Sequence, residues 1–159
     1  MAIDNQEFKN ALKLWASGIA VVTTQSEEGE LGMTVTSFAS VSMDPPQILV
    51  CLNETTETGA VILENKKFAV NALTAEQEQV SNQFAGGASM EERFKSVAWH
   101  KGELGVPVFD AALSHMECTV VQQFKAGTHW IVVGEIQYSQ CNVGEPLLYY
   151  NSAYQRIAS

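Results

Sequence analysis

The sequence predicts a mainly β protein, an antiparallel barrel of six or seven strands with two or three peripheral helices. Apolar, β-branched stretches fill the last third of the chain, and the turn Lys125–Thr128 joins two of them as a hairpin. Strand-like and helix-like segments do not alternate regularly, as they would in a doubly wound sheet. With 159 residues, 46% of them hydrophobic and 17% charged, we expect one domain spanning residues 1–159.

The first elements are a helix and a hairpin. Asp4 and Glu7 form a capping-box pattern at the start of the helix. Apolar residues then recur at helical spacing: Phe8, Ala11, Leu12 and Trp15. Ile19–Thr24 is apolar and β-branched, and the polar turn Glu27–Glu30 leads to a return strand, Leu31–Phe38.

The middle of the chain predicts a buried strand followed by a capped helix. The continuous apolar run in Gln47–Leu52 indicates a strand buried on both faces. Thr56 or Thr58 can cap a short helix that ends near Glu64. The later elements are a strand Phe68–Leu73, a helix containing Val80 and Phe84, a short helix Glu91–Ser96, and strands Ser114–Phe124, His129–Ser139 and Leu147–Tyr154.

The net charge of the chain disfavours nucleic acid and anionic membranes as binding partners. Nine Lys and Arg residues against 18 Asp and Glu residues give a formal charge of -9, the wrong sign for gripping nucleic acid or an anionic membrane. Three widely separated cysteines show neither metal-ligand spacing nor a disulfide pattern, so we expect no metal site. The chain contains no signal-like or membrane-length apolar segment, which predicts a cytoplasmic protein.

Common catalytic signatures are absent: the dinucleotide and nucleotide-triphosphate glycine motifs, the serine hydrolase elbow and the zinc protease motif. The segment Gly32–Ser42 instead concentrates hydroxyl and small side chains. Its donors could approach a planar ligand rich in hydrogen-bond acceptors, with Gly32 allowing close contact. The alternative is a solvated Ser/Thr-rich strand and turn.

Three further positions have both a functional and a structural interpretation. The start of the helix after Asn53 is either an anion site or an ordinary N-cap. His129 lies at a strand entrance and is either functional or structural. Arg93 follows the Gly86–Gly87 loop and meets either a phosphate or a neighbouring carboxylate.

Several segments, in order, resemble one known family. They are ALKLWASGIAVVTT from Ala11, GMTVTSFASVSMDPPQILVCLN from Gly32, FAVNAL from Phe68, the helix from Gln77 to Phe84, ERF from Glu92, AGTHWIVVGEI from Ala126 and EPLLYYNSAY from Glu145. Together they resemble the flavin reductase family. Its members have an FMN-binding split barrel and act as the reductase component of two-component flavin monooxygenases.

The resemblance implies a set of site residues. Those along the isoalloxazine and ribityl chain would be Thr36, Ser37, Ser40, Val41 and Ser42, and those at the phosphate end Asn53, Thr56 and Thr58. Asn71 and Phe84 would be additional pocket residues, Tyr154 would border the mouth, and His129 would position the nicotinamide. The chain departs from the family at Thr36, Thr128 and Asn151–Ser152, where Asn, Asp and an Arg-Gly pair are common.

The implied activity is hydride transfer from NADH or NADPH to FMN, with FAD possible, and no general acid or base is required. Scarce cations favour NADH and FMN. The resemblance also implies a homodimer and a partner monooxygenase that receives reduced flavin. Two alternatives stay open: an electron carrier with firmly bound FMN, and a non-catalytic split barrel that binds flavin or haem.

Overall fold

The computed structural model describes residues 2–158. Its helices are α1 (Asn5–Leu12), α2 (Glu57–Asn65), α3 (Glu78–Phe84) and α4 (Met90–Lys95), with a 3-10 turn at Ala75–Gln77 before α3. Its strands are β1 (Ser17–Gly18), β2 (Ala20–Gln25), β3 (Glu30–Val35), β4 (Phe38–Met43), β5 (Pro46–Asn53), β6 (Lys67–Ala72), β7 (Trp99–Lys101), β8 (Pro107–Phe109), β9 (Ser114–Ala126), β10 (His129–Cys141), β11 (Leu148–Tyr150) and β12 (Ala153–Gln155). None of the helices in this part of the chain has the length and apolar character to span a bilayer.

Seven strands form one antiparallel sheet in the order β3-β2-β6-β9-β10-β5-β4. The edge strands β3 and β4 are consecutive in sequence and are separated by Thr36 and Ser37 alone. Since the three Cα–Cα steps from Val35 to Phe38 span at most about 11 Å, the sheet curls until its two edges approach each other at this crossing. The edges are not hydrogen-bonded to each other, so the predicted antiparallel split barrel is confirmed.

The main core fills the inside of this curled sheet. Val22, Val50, Leu52, Phe68 and Val132 are fully buried there. A second cluster lies under α3 and α4, where the rings of Phe84, Phe94 and Phe109 pack edge to face or tilted.

Strand β5 corrects one expectation from the sequence. Ile48, Val50 and Leu52 point into the core, but Leu49 and Cys51 between them are only half-buried. The prediction of burial on both faces is therefore wrong. The outward face of β5 is apolar because it forms the wall of a cavity, described below.

Three other element boundaries also differ from the predictions. The return strand predicted as Leu31–Phe38 is divided between β3 and β4, on opposite edges of the sheet. Helix α1 has the predicted capping box but ends at Leu12 and buries none of its residues within the monomer, so Trp15 lies beyond it. The predicted strand Leu147–Tyr154 is the hairpin β11–β12, whose turn residues Asn151 and Ser152 have φ of 52° and 61°.

Candidate functional site

The outward face of β4, β5, β9 and β10 carries the candidate site. In the sheet register, Phe124, Ile131 and Cys51 lie opposite one another and therefore share this face. The next row of the same face holds Leu49 and Ala39. Hydrophobic side chains thus form a continuous outward strip over the fully buried core residues.

A cavity of about 460 Å³ opens beside this strip. Its lining includes Ala39, Leu49 and Cys51 from this strip and the aromatic residues Trp15 and Tyr149. The remaining lining residues are Leu12, Lys13, Ser17, Thr36, Ser37 and Phe38. A second cavity, of about 260 Å³, lies at the adjoining end of the barrel and shares Trp15, Ser17, Thr36 and Phe38 with the first.

The electrostatics of the larger cavity differ from those of the chain. Although the chain carries a formal charge of -9, Lys13 is the one acidic or basic residue of the Asp, Glu, Lys and Arg types among the lining residues within the described range 2–158. Burial raises the pKa of the Cys51 thiol, so this wall stays neutral at physiological pH. A flat, mostly apolar ligand with an anionic substituent fits this combination of walls and charge.

Thr36 and Ser37 reach the cavity because the chain crosses there from one sheet edge to the other. The Ser37 hydroxyl donates to the Cys51 carbonyl at 2.9 Å and accepts from the Cys51 amide at 3.2 Å. The Ser37 side chain therefore fastens the crossing to β5. Thr36 is exposed and borders both cavities, which leaves its hydroxyl available to a ligand.

Ser40, Val41 and Ser42 continue along β4 away from the cavity lining. Ser40 and Val41 are exposed, Ser42 is half-buried, and the register shifts between Ser40 and Ser42. This bulge places Val41 outside the regular pairing with β5. These three residues border the same edge strand, but none of them lines either cavity.

Asn53, Thr56 and Thr58 surround the start of α2. The Asn53 side-chain oxygen accepts from the amide and the hydroxyl of Thr55, both at 2.9 Å, and Thr56 is the N-cap, accepting from Gly59 N. Thr58 is 1% exposed within the first turn. Of the three, Asn53 is the one whose position continues the cavity wall, about 7 Å along β5 from Cys51 on the same face.

His129 begins β10 and is half-buried. Its Cα partner across the sheet is Asn53, and its Nδ1 lies 2.9 Å from the Thr128 hydroxyl. The register puts His129 one row beyond Ile131 and Cys51. The sequence predicted both His129 and Asn53 as site residues, and the fold brings them together.

Asn71, Phe84 and Arg93 lie away from both cavities. Asn71 is fully buried, donates to Val21 O and Thr23 Oγ1, and accepts from Phe109 N. Phe84 is 1% exposed in the second core cluster. These contacts hold core strands together and leave no side-chain surface for a ligand.

Arg93 donates to the backbone oxygens of Ala88, Gly32 and Phe84, so it fastens α4 to β3. The prediction that Gly32 allows close approach of a ligand is wrong. A Cβ at Gly32 would lie 2.8 Å from Phe84 Cε1, so this glycine makes room for a core ring.

Tyr154 lies behind the cavity wall. Its hydroxyl donates to Asn82 Oδ1 at 2.6 Å and lies 2.9 Å from Ser81 Oγ, and its ring packs edge-on against Tyr149 at 5.6 Å. Tyr154 therefore supports Tyr149, which is the tyrosine that lines the cavity.

Sequence reasoning missed Lys13, Trp15, Leu49, Cys51 and Tyr149 as lining residues. Helical spacing predicts that Trp15 lies on the apolar face of α1, and the apolar run of β5 predicts that Leu49 and Cys51 lie in the core. One signal could have found them: an apolar run on both faces of a strand in an open sheet implies that the second face is covered by something other than solvent.

Comparison with known proteins agrees with this architecture. Residues 12–158 match the family model described as the flavin reductase like domain. The chain belongs to the flavin reductase-like family. Among its relatives, the FMN reductase (NADH) RutF of Enterobacter cloacae is 36% identical over 133 residues, which are 84% of this chain and 81% of that protein.

Two solved structures of the family show the same fold. The NADH:FAD oxidoreductase SgcE6 of Streptomyces globisporus, in complex with NAD and FAD fragments, has a TM-score of 0.91 at 28% identity and covers 99% of this chain and 97% of its own. The styrene monooxygenase flavin reductase of Pseudomonas putida has a TM-score of 0.87 at 29% identity, and the match covers 96% of this chain and 97% of that protein. The family resemblance read from the sequence is confirmed.

Proposed function

We propose that this flavin reductase-like protein transfers hydride from NADH to FMN and binds the flavin in the larger cavity, which is lined by residues of β4 and β5 and by Trp15 and Tyr149. The observation that carries the proposal is the cavity itself. It has a mostly apolar lining, a hydroxyl donor at Thr36, and a lysine as its one charged lining residue in an acidic chain. These features suit a planar ring system joined to a phosphate.

A bound flavin would supply the redox chemistry, accepting the hydride equivalent that the reduced nicotinamide gives up. The protein's own groups bind and orient the two ligands, because hydride transfer needs neither a general acid nor a general base here. Thr36 and the backbone near Ser37 meet the ring edge, and Asn53 with the helix start at Thr56 lies towards the phosphate. His129 borders the nicotinamide.

The choice of nucleotide and flavin rests on charge and on the relatives. RutF is an FMN reductase that uses NADH, whereas SgcE6 is an NADH:FAD oxidoreductase. Arg93 is engaged by backbone oxygens, which leaves few cations for the extra phosphate of NADPH. We therefore propose that the protein prefers NADH to NADPH as the hydride donor and FMN to FAD as the acceptor.

The proposal extends to the assembly. The outward strip that includes Phe124, 51% exposed, supports a homodimer that covers it, as do Val41 and Met43, 46% and 93% exposed, on the neighbouring edge strand. We also propose that residues 1–159 act as one domain in the cytoplasm. The protein would supply reduced flavin to a monooxygenase, in line with the name of the Pseudomonas putida relative, styrene monooxygenase flavin reductase. A monomer at micromolar concentration in sedimentation velocity would contradict the dimer.

The test is NADH oxidation by the purified protein while FMN or FAD is added stepwise from zero, with NADPH in parallel. Saturable activity that requires added flavin is expected, with FMN and NADH giving the higher kcat/KM. Flavin binding without NADH oxidation at any flavin concentration would overturn the reductase proposal.

The visible absorption spectrum of the protein as purified separates the two alternatives. A firmly bound FMN gives a yellow protein and favours the electron carrier. A Soret band identifies a haem-binding module. A colourless protein that becomes active with added flavin agrees with a reductase that exchanges its flavin.

A further inference from the structure

Trp15 combines a fixed backbone with an exposed ring. Its side chain is 78% exposed, although its amide donates to Leu12 O at 3.1 Å and the neighbouring Lys13 carbonyl accepts from Asn151 N at 2.7 Å. Two residues later, Ser17 pairs with Tyr149 in the small sheet of β1, β11 and β12. The strap Lys13–Ser17 is therefore held at both ends while its largest side chain lies in solvent.

The exposed ring of Trp15 lies at the two cavities described above. Trp15 borders both cavities, and it lines the larger one together with Tyr149, Ala39, Leu49 and Cys51. Tyr149 is fixed by its edge-on contact with Tyr154, whose hydroxyl is bonded to α3. Two aromatic side chains and the apolar face of a strand in one cavity can accept a planar ring.

Lys13 supplies a charge in the same cavity. It lines the larger cavity and forms no ion pair with any carboxylate in the described part of the chain. Lys95, Lys125 and Arg156 are paired with glutamates, and among the cations without an ion pair Lys13 is the one that lines the larger cavity. A ring-stacking residue and an unpaired cation two positions apart match a heteroaromatic ring joined to a phosphate.

We propose that Trp15 stacks on the ring, and Lys13 pairs with the phosphate, of the nucleotide bound in the larger cavity. The inference rests on the proposed function and adds two specificity-determining residues to it. FMN and NADH share this chemistry, so the experiment must separate them.

The experiment compares Trp15→Ala, Trp15→Phe and Lys13→Gln with matched controls on α1. Phe8→Ala removes an exposed ring and Lys9→Gln an exposed charge, and neither residue lines either of the two cavities. Affinities for FMN and riboflavin are measured by flavin fluorescence, and the KM for NADH at saturating FMN. Because α1 buries none of its residues and Trp15 is exposed, all five variants are expected to fold, which circular dichroism checks.

Trp15→Ala is expected to weaken binding of one ligand about tenfold, and Trp15→Phe to restore most of it, as stacking contacts of this size imply. A loss shared by FMN and riboflavin assigns the ring to the flavin, whereas a raised KM for NADH alone assigns it to the nicotinamide nucleotide. For a flavin, Lys13→Gln should weaken FMN about threefold to tenfold and leave riboflavin unchanged. The two control variants should match the wild type.

Equal affinities and KM values for Trp15→Ala and Phe8→Ala would overturn the stacking role. If Lys13→Gln weakened FMN and riboflavin equally, or left both FMN and NADH unaffected, the phosphate role would be wrong. Failure of the wild type to bind FMN or oxidise NADH would instead refute the proposed function. The two failures are therefore distinguishable.

Discussion

His129 and Asn53 lie directly opposite each other across the β10–β5 ladder. Their side chains share the outward face, and directly opposed Cβ atoms are about 5 Å apart in an antiparallel pair. The residues next to this pair also interact, because the Glu54 amide donates a hydrogen bond to the Thr128 carbonyl at 3.0 Å. In the proposed site His129 borders the nicotinamide and Asn53 lies towards the flavin phosphate, so a bound ligand pair would bring these two groups to one strand end.

Replacing His129 with Ala should raise the KM for NADH while the affinity for FMN stays within a few fold. The imidazole borders the nicotinamide in the proposed site, and the flavin is held by the β4–β5 wall. Steady-state kinetics and flavin fluorescence measure the two quantities separately. Full activity with NADH would contradict the role of His129, and an equal loss of flavin affinity would mean that His129 contacts the flavin.

An aspartate at position 53 tests the phosphate end. Asn53→Asp keeps an oxygen that accepts from the Thr55 amide and hydroxyl, so the start of α2 stays capped. The added negative charge should weaken FMN about fivefold or more, in line with ~1 kcal/mol for a half-exposed like-charge contact. Riboflavin carries no phosphate and is the control ligand. Equal losses for FMN and riboflavin would contradict a phosphate near Asn53.

Asn71→Ala should reduce stability rather than flavin affinity. The change leaves the buried Phe109 amide and Val21 carbonyl without their side-chain partner, at a cost of about 2 to 3 kcal/mol. Urea unfolding measures the loss, with the exposed Asn10→Ala as control. If the folded variant lost flavin affinity with no loss of stability, Asn71 would belong to the binding site after all.

Glu117→Gln should also destabilise the fold. The buried Glu117 carboxylate accepts from the amides of Glu103 at 3.1 Å and Leu104 at 2.7 Å, and so holds the β7–β8 loop. An amide NH₂ placed against one of those donors should cost about 1 to 3 kcal/mol. Glu103→Gln alters a side chain in the same loop without touching these bonds, so its urea midpoint should match the wild type. Equal midpoints for both variants would refute the prediction.

Stability should fall between pH 7.5 and pH 5.5 because of His115. Burial lowers the pKa of this histidine, and His100 adds to the lowering, while Glu117 opposes it. The unfolded chain therefore binds a proton near pH 6.5 more readily than the folded chain, and acidification favours unfolding. His115→Gln should show a smaller loss of unfolding free energy over this range. The same loss in both proteins would exclude His115 as the cause.

Local sequence patterns predicted many elements because their causes are local. The capping box at Asp4 and Glu7 and the cap at Thr56 satisfy helix amides within three residues, so they are visible without a fold. The turn around Gly127, with φ of 58°, likewise lies between two long strands where the sequence indicated a hairpin. The ordered segments from Ala11 to Tyr154 were enough to indicate the family.

The tertiary structure decided which of the candidate residues lie at the cavity and which lie in the core. Asn71, Phe84 and Arg93 fall within segments that resemble the family. However, Phe84 packs in the core, and Asn71 and Arg93 form hydrogen bonds with backbone groups. Trp15 looked like one more residue of a helical apolar face, but α1 ends three residues earlier. Which face of an element is covered depends on its neighbours, and those lie far away in sequence.

The sequence by itself determined the fold class, the capped helices and the family, because these follow from short-range patterns and from matched segments along the chain. Only the tertiary structure decided that Thr36 and Ser37 join the two edges of the split barrel, and that Trp15, Tyr149 and Cys51 enclose one cavity. The physical reason is that pairing in an antiparallel sheet is non-local. The register between β4, β5 and β10 assigns each side chain to the core or to the cavity, and a shift of one residue would exchange the two.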